Sequence, residues 1–324
     1  MKRRLLAILG TLLTLTMLAT ALSLILYGRF PTATVYEWQL RRRFATDRTP
    51  EEEVERLKHR LKKSEPEAEL PEDLSFRTPA QSRDYRGMKV FALNWEAGET
   101  TVVYLHGGAY INSFNEYQWR FMDTLAAEAR CRVLAPAYHL APWADFRRAY
   151  DDLTALWRAL MASEPGRVIL MGDSAGGGLA LGLAQALAAA GDPLPEQLIL
   201  LSPWVDVSMD NPDILPLVPV DPILHLDIVK IHGRAWAGDA DTHDPRVSPL
   251  YGDMTGLPPV TLFTGTRELL YPDILKAHGK LCEAGVQSRL ILGRGLNHDY
   301  PLMPIPEARA AVKEIIGMVS PAPR

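Results

Sequence analysis

Cysteine is scarce: the 324 residues hold two, Cys131 and Cys282. They lie far apart with no metal-ligand spacing, which excludes a disulfide framework and a thiolate metal site. Each sits in an apolar stretch, so two buried free thiols are expected. Charge of one sign is lacking too. Lys and Arg total 35 against 39 Asp and Glu, giving a formal net charge of −4 and a pI near 6.1. A nucleic-acid partner asks for a basic face, and this balance argues against one. The sequence shows neither internal repeats nor low-complexity tracts, which excludes solenoids and biased tails.

What is present is apolar bulk. With 47% hydrophobic residues the chain can bury a large core, as one α/β domain with an insertion or as two domains. Met1-Lys2-Arg3-Arg4 precedes an uncharged stretch from Leu5 to Tyr27. As a helix that stretch spans about 34 Å, against about 30 Å of bilayer hydrocarbon. A membrane anchor over residues 5–27 is therefore expected. The three leading basic residues favour a cytoplasmic N-terminus and an extracytoplasmic remainder, while Arg29 and Arg41-Arg42-Arg43 oppose it. A cleaved signal ending at Ala19-Thr20-Ala21, which gives a secreted protein, is the alternative, and a soluble amphipathic helix is a third reading. Cleavage would leave an apolar new end starting at Leu22.

Residues 31–75 are charged and read as helical, with an entry at Thr49-Pro50 followed by Glu51-Glu52-Glu53. From about residue 85 apolar strands alternate with helices. The strands are Lys89–Trp95, Thr101–Leu105, Arg132–Ala137, Val168–Met171, Leu198–Leu201, Val260–Thr264 and Arg289–Leu292. The helices are Tyr117–Ala129, Tyr150–Ala162, Leu179–Ala190, Asp273–Ala284 and Glu307–Val319. Such alternation predicts an α/β fold, a mostly parallel sheet with helices on both faces. Residues 203–257 are too long for a plain crossover and read as an insertion near the strand C-termini, where open α/β sheets bind ligands.

Four signals fall at those strand ends. Gly172-Asp173-Ser174-Ala175-Gly176 joins a strand to a helix, the pattern of a nucleophile elbow centred on Ser174. His106-Gly107-Gly108-Ala109-Tyr110 ends an earlier strand, where backbone N–H groups of Gly107, Gly108 and Ala109 can face a developing oxyanion together with that of Ala175. Of eight histidines, His298 alone follows the last strand and suits a general base. The acid that orients it belongs after the preceding strand. Glu268 stands at that strand end, and Asp273, after Pro272, is the alternative, with a competing role at a helix start.

Taken in chain order over about residues 85–320, the four signals His106–Tyr110, Gly172–Gly177, Gly265–Asp273 and Gly295-Leu296-Asn297-His298-Asp299 resemble the α/β-hydrolase fold of the hormone-sensitive-lipase-like esterases. The resemblance implies a helical cap built from residues 29–75 and an insertion at about 206–247, on a hydrolase domain at 76–324 that follows an N-terminal segment 1–28. It implies a serine carboxylic-ester hydrolase acting on small or medium acyl esters through Ser174, Glu268 and His298. Two features depart from the family pattern. Ala109 stands where the family has a third glycine, and Glu268 stands where it more often has Asp, which keeps Asp273 open. No metal or cofactor is required by this chemistry. Acyl transfer with the same residues and a non-catalytic ligand-binding protein are the alternative functions, and the oligomeric state is not legible. Tyr110, Trp204, Ile223, Leu224 and Trp236 are candidates for a substrate pocket or for core packing.

Overall fold

The computed structural model describes residues 2–45, 48–163 and 166–320, with the side chains of 2–10 and 12 left out. Among the described residues eight strands form one sheet: β1 (Ala80–Tyr85), β2 (Met88–Leu93), β3 (Thr100–Leu105), β4 (Arg132–Pro136), β5 (Arg167–Asp173), β6 (Gln197–Leu201), β7 (Val260–Gly265) and β8 (Ser288–Gly293). Their order is β1-β2-β4-β3-β5-β6-β7-β8. Strands β3 to β8 are parallel, while β1 and β2 form an antiparallel hairpin set against β4. The strand β1 has no apolar signature in Ala-Gln-Ser-Arg-Asp-Tyr. An edge strand buries little, so its sequence need not be apolar.

Helices α4 (Glu116–Glu128) and α9 (Pro306–Val319) cover one face; α5 (Phe146–Ser163), α6 (Ser174–Ala190) and α8 (Tyr271–Glu283) cover the other. Both faces of each central strand are therefore buried. In β3, Val103 and Leu105 enter one core while Val102 and Tyr104 enter the other. This is why the parallel strands read as unbroken apolar runs. Two helices begin earlier than their apolar periodicity suggests: α5 at Phe146, and α6 at Ser174 itself, because the Gly-rich first turn packs by backbone. Cys131 is buried as expected, but Cys282 is exposed. In α8 the buried stripe is Ile274, Ala277 and Leu281, and one residue further turns Cys282 about 100° away from it.

The N-terminal part holds α1 (Lys2–Tyr27), α2 (Pro31–Arg43) and α3 (Pro50–Leu61), the last opened by a Thr49–Glu52 capping box. Among the described side chains of α1 only Ser23 is buried, and Leu13, Met17, Leu18 and Ile25 are exposed. Of the expected 5–27 span, the side chains of 5–10 and 12 lie outside the described residues. Among the described residues no single helix is long and apolar enough to cross a membrane; the pair Leu13–Tyr27 and Pro31–Arg43, bent by 68°, passes by length and composition together.

The end of α1 is fastened to the sheet. Arg29 reaches Glu37 at 2.5 Å and the Gly295 carbonyl at 2.8 Å, and Glu37 also accepts Arg41 and Arg267, each at 2.9 Å. The N-terminal helices also join the insertion, whose main helix is α7 (Leu226–Ala237): His232 of α7 donates to Glu53 at 2.6 Å, and Arg41 donates to the Val220 carbonyl at 2.6 Å. Within the insertion Trp236 is fully buried, its ring stacked 4.1 Å from that of Tyr110, and Trp204 stacks on the same tyrosine at 5.6 Å. These three rings are core packing, whereas Ile223 and Leu224 stay half-buried. Trp236→Ala is expected to cost about 3–5 kcal/mol. Chemical denaturation checks this, and an unchanged midpoint would show that the insertion is not packed as described.

Candidate active site

Strand β5 passes into α6 with no intervening residue. Ser174 takes φ 50°, a left-handed value that a side-chain-bearing residue adopts only when its surroundings impose it. The surroundings are close. A β-carbon on Gly172 would run into the Gly176 carbonyl, and one on Gly176 into the Leu105 carbonyl. Glycine at both positions lets the end of β3 and the first turn of α6 touch, and Ser174 is left at the C-terminal edge of a central strand.

His298, in the loop after β8, stands with Nε2 2.9 Å from Ser174 Oγ. Its Nδ1 donates to Glu268 Oε2, from the loop after β7. Glu268 is fully buried, and its other oxygen accepts from Thr264 Oγ1 at 2.5 Å, Gly265 N at 2.8 Å and Ser202 Oγ at 2.9 Å. With Oε1 so occupied, Oε2 is the oxygen left for the histidine. Burial opposes the charged ring of His298, but Asp299 first and then Glu268 favour it, and its pKa is pushed up to about 10. Asp273 faces elsewhere: Oδ1 accepts from Asn211 Nδ2 at 2.7 Å, tying α8 to the insertion. Burial pushes the Asp273 carboxyl up to about 6 against the pull of that bond.

The loop after β3 turns through three consecutive positive φ values, at Gly108, Ala109 and Tyr110. At Gly108, with φ 128°, a β-carbon would also strike the Asn112 carbonyl. Among the described residues the N–H groups of Gly108 and Ala109 have no protein acceptor. Ala175 lies in the first turn of α6, where N–H groups lack intrahelical partners. Gly107 differs from its expected role. Its N–H donates to Asp173 Oδ1 at 2.9 Å and is not free for an oxyanion.

Asp173 proves to be the tie between the elbow and this loop. It also accepts from Tyr104 Oη at 2.6 Å and Gln118 Nε2 at 2.8 Å, and burial pushes its carboxyl upward. His106 braces the same loop: its Nδ1 lies 2.7 Å from the Gly107 carbonyl, its ring stacks 4.4 Å from Tyr138, and burial lowers its pKa to about 4. Sequence reasoning passed over Ser202 and left Asp299 without a role. Ser202 directly follows β6 at the same sheet edge, a position that could have signalled it. A surface cavity of about 620 Å³ between α4 and α9 is lined by Tyr117, Phe121, Leu302 and Val312 and does not include Ser174, which is 7% exposed.

A serine, histidine and carboxylate at the C-terminal edge of a doubly covered parallel sheet define an α/β hydrolase. A model of the alpha/beta hydrolase fold matches residues 102–302, and the chain belongs to that family. Its place within the family is among the hormone-sensitive-lipase-like esterases, enzymes that hydrolyse carboxylic esters. An esterase of the bacterial hormone-sensitive lipase family superposes with a TM-score of 0.75 at 28% identity, covering 89% of this chain and 97% of that one. A hormone-sensitive lipase from a metagenome library gives 0.73 at 26% identity, covering 85% and 99%. In sequence, the chain is 29% identical to an esterase of Acinetobacter venetianus over 73% of its own length and 79% of that protein's. It is 34% identical to an acetyl-hydrolase of Streptomyces hygroscopicus over 57% and 62%.

Tyr104→Phe removes one donor from buried Asp173 and nothing else. The free energy of unfolding is expected to fall by about 1–3 kcal/mol. Equal stability in urea would show that the carboxyl does not depend on that bond.

Proposed function

We propose that the protein hydrolyses small or medium acyl esters through an acyl-enzyme on Ser174. The observation that carries this is the chain Ser174 Oγ, His298 Nε2, His298 Nδ1 and Glu268, held at a strained elbow. Ser174 Oγ attacks the ester carbonyl as Nε2 takes its proton. Glu268 fixes the Nδ1–H tautomer and stabilises the imidazolium. The carbonyl oxygen, now charged, is received by the N–H groups of Gly108, Ala109 and Ala175, each worth about 3 kcal/mol in the transition state. His298 returns the proton to the leaving alcohol, and water then repeats the sequence to free the acid. The relatives named acetyl-hydrolase and esterase support short acyl groups as the first substrates to try.

In this reading the N-terminal helices α2 and α3 and the insertion at about 206–247 act together as a cap over a hydrolase domain at 76–324. The contacts of Glu53 with His232 and of Arg41 with Val220 support it. A fluorophosphonate probe is expected to label Ser174, and Ser174→Ala to abolish both labelling and ester turnover. Glu268→Gln is expected to lower kcat by about 10⁴, as loss of an orienting carboxylate does in serine hydrolases. Asp273→Asn should leave kcat within severalfold. The reverse pattern would transfer the orienting role to Asp273.

Residues 5–27 serve as the membrane anchor in the same reading, with the catalytic domain on the extracytoplasmic side. The exposure of Leu13, Met17, Leu18 and Ile25 around α1 supports it, since a helix apolar on every side is suited to lipid rather than water. The full-length chain is expected to stay with membranes through an alkaline carbonate wash. Recovery of an intact chain in the supernatant would contradict the anchor, and a mature start at Leu22 would mean a cleaved signal.

A further inference from the structure

The triad leaves one buried acid at the site without a task. Asp299 follows His298 directly, in the left-handed conformation at φ 53°, and its own N–H is held by Ser202 Oγ at 3.0 Å. Its Oδ2 lies 3.2 Å from His298 Nε2, the nitrogen that also faces Ser174 Oγ at 2.9 Å. Its side chain is 11% exposed, and Oδ1 is buried with no partner among the described residues. One ring nitrogen thus stands between a hydroxyl and a second carboxyl. Nε2 can serve as a base only while it carries a lone pair. A carboxylate 3.2 Å away favours the state in which it carries a proton instead.

The wider surroundings push the same way. Glu268 acts on His298 from the loop after β7, Asp221 from the insertion and Asp299 from the histidine's own loop, while Asp173, at the end of β5, acts on Asp299. Asp221 is pinned by Leu269 N at 2.8 Å and by Ile223 N and Leu224 N. Arg267, on the β7 loop, is turned to Glu37. Burial drives the Asp299 carboxyl well above the usual range, His298 opposes this, and Asp173, Glu268 and Asp221 add to it. At 3.2 Å the two groups are close enough for one proton to serve both, and each favours keeping that proton over its loss.

We propose that Asp299 is a positioning residue that competes with Ser174 for the proton on His298 Nε2, and so raises the pH at which the serine becomes nucleophilic. The inference rests on the Ser174–His298–Glu268 reading. In the shared state the proton sits on Nε2, with Asp299 charged, or on Oδ2, with the ring neutral. Only the second arrangement lets Ser174 pass its own proton to the ring. At higher pH the shared proton leaves to solvent and Nε2 is free. In the intermediate, the same carboxylate lies beside the imidazolium that forms, so Asp299 acts on the position of the pH limb and on the rate separately.

The test is the second-order rate of fluorophosphonate labelling against pH, with the labelled residue found by mass spectrometry, for the wild-type chain and for Asp299→Asn. A free histidine titrates near about 6.5. The wild-type limb is expected above roughly pH 8, and Asp299→Asn is expected to lower it by at least about one unit. Labelling at a fixed pH below both limbs then becomes about tenfold faster relative to each protein's own alkaline rate. A wild-type limb near the free-histidine value, or a limb that Asn leaves in place, would overturn the proposal. Asp299→Gly, which also removes the carboxyl and suits the left-handed backbone at φ 53°, takes the place of the Asn variant if that one does not fold, with the same two outcomes. Failure of the underlying reading is separate, because it would appear as labelling at a residue other than Ser174, or none at any pH.

Discussion

The absence of a β-carbon at Gly172 and Gly176 is the constraint on which the site depends. It allows the end of β3, the end of β5 and the first turn of α6 to meet at backbone distance. That contact puts Ser174 in a left-handed conformation and leaves the first N–H groups of α6 pointing out of the sheet edge. It also places Asp173 under the loop after β3, where its carboxyl gathers Tyr104, Gly107 and Gln118. The candidate oxyanion loop is therefore fixed to the residue beside the nucleophile, not merely near it. The strain at Ser174 persists because the close contacts around it over-determine the backbone there.

The far side of the site is fixed by a different device. Glu268 takes three donors on one oxygen and presents the other to His298. The adjacent Arg267 and the loop residue Gly295 are both linked to the N-terminal segment, through Glu37 and Arg29. The residues between α1 and α2 are thus part of the scaffold behind the acid and the base. A charged cluster with several partners is weak evidence of net stability, since desolvation offsets much of the attraction. Its consequence is geometric: α1 leaves the body at a defined point, next to the loops that carry the chemistry.

The strand ends made much of this visible in the sequence. A parallel sheet delivers its loops to one edge, so Ser174, Glu268 and His298 could be named from order and position, and the structure brings these three together. The elbow was legible because two glycines have a backbone reason to be there. Other features left no such mark. Strand β1 is polar because it is an edge. The engagement of Gly107 with Asp173 depends on a contact across 66 residues that no local pattern encodes. Cys282 lies beside apolar neighbours in sequence yet is turned out of the buried stripe of its helix. Asp299 adjoins His298 in sequence, yet its carboxyl lies against Nε2 through a left-handed turn that no local pattern encodes.

The central claim is that Ser174, His298 and the loop N–H groups form one catalytic unit. A crystal structure of the fluorophosphonate adduct tests it most directly. The account predicts a phosphorus bonded to Ser174 Oγ, with the phosphoryl oxygen within hydrogen-bond reach of the N–H groups of Gly108, Ala109 and Ala175, and Gly107 still bonded to Asp173. An adduct whose oxygen points away from those N–H groups, or one formed on another residue, would contradict it.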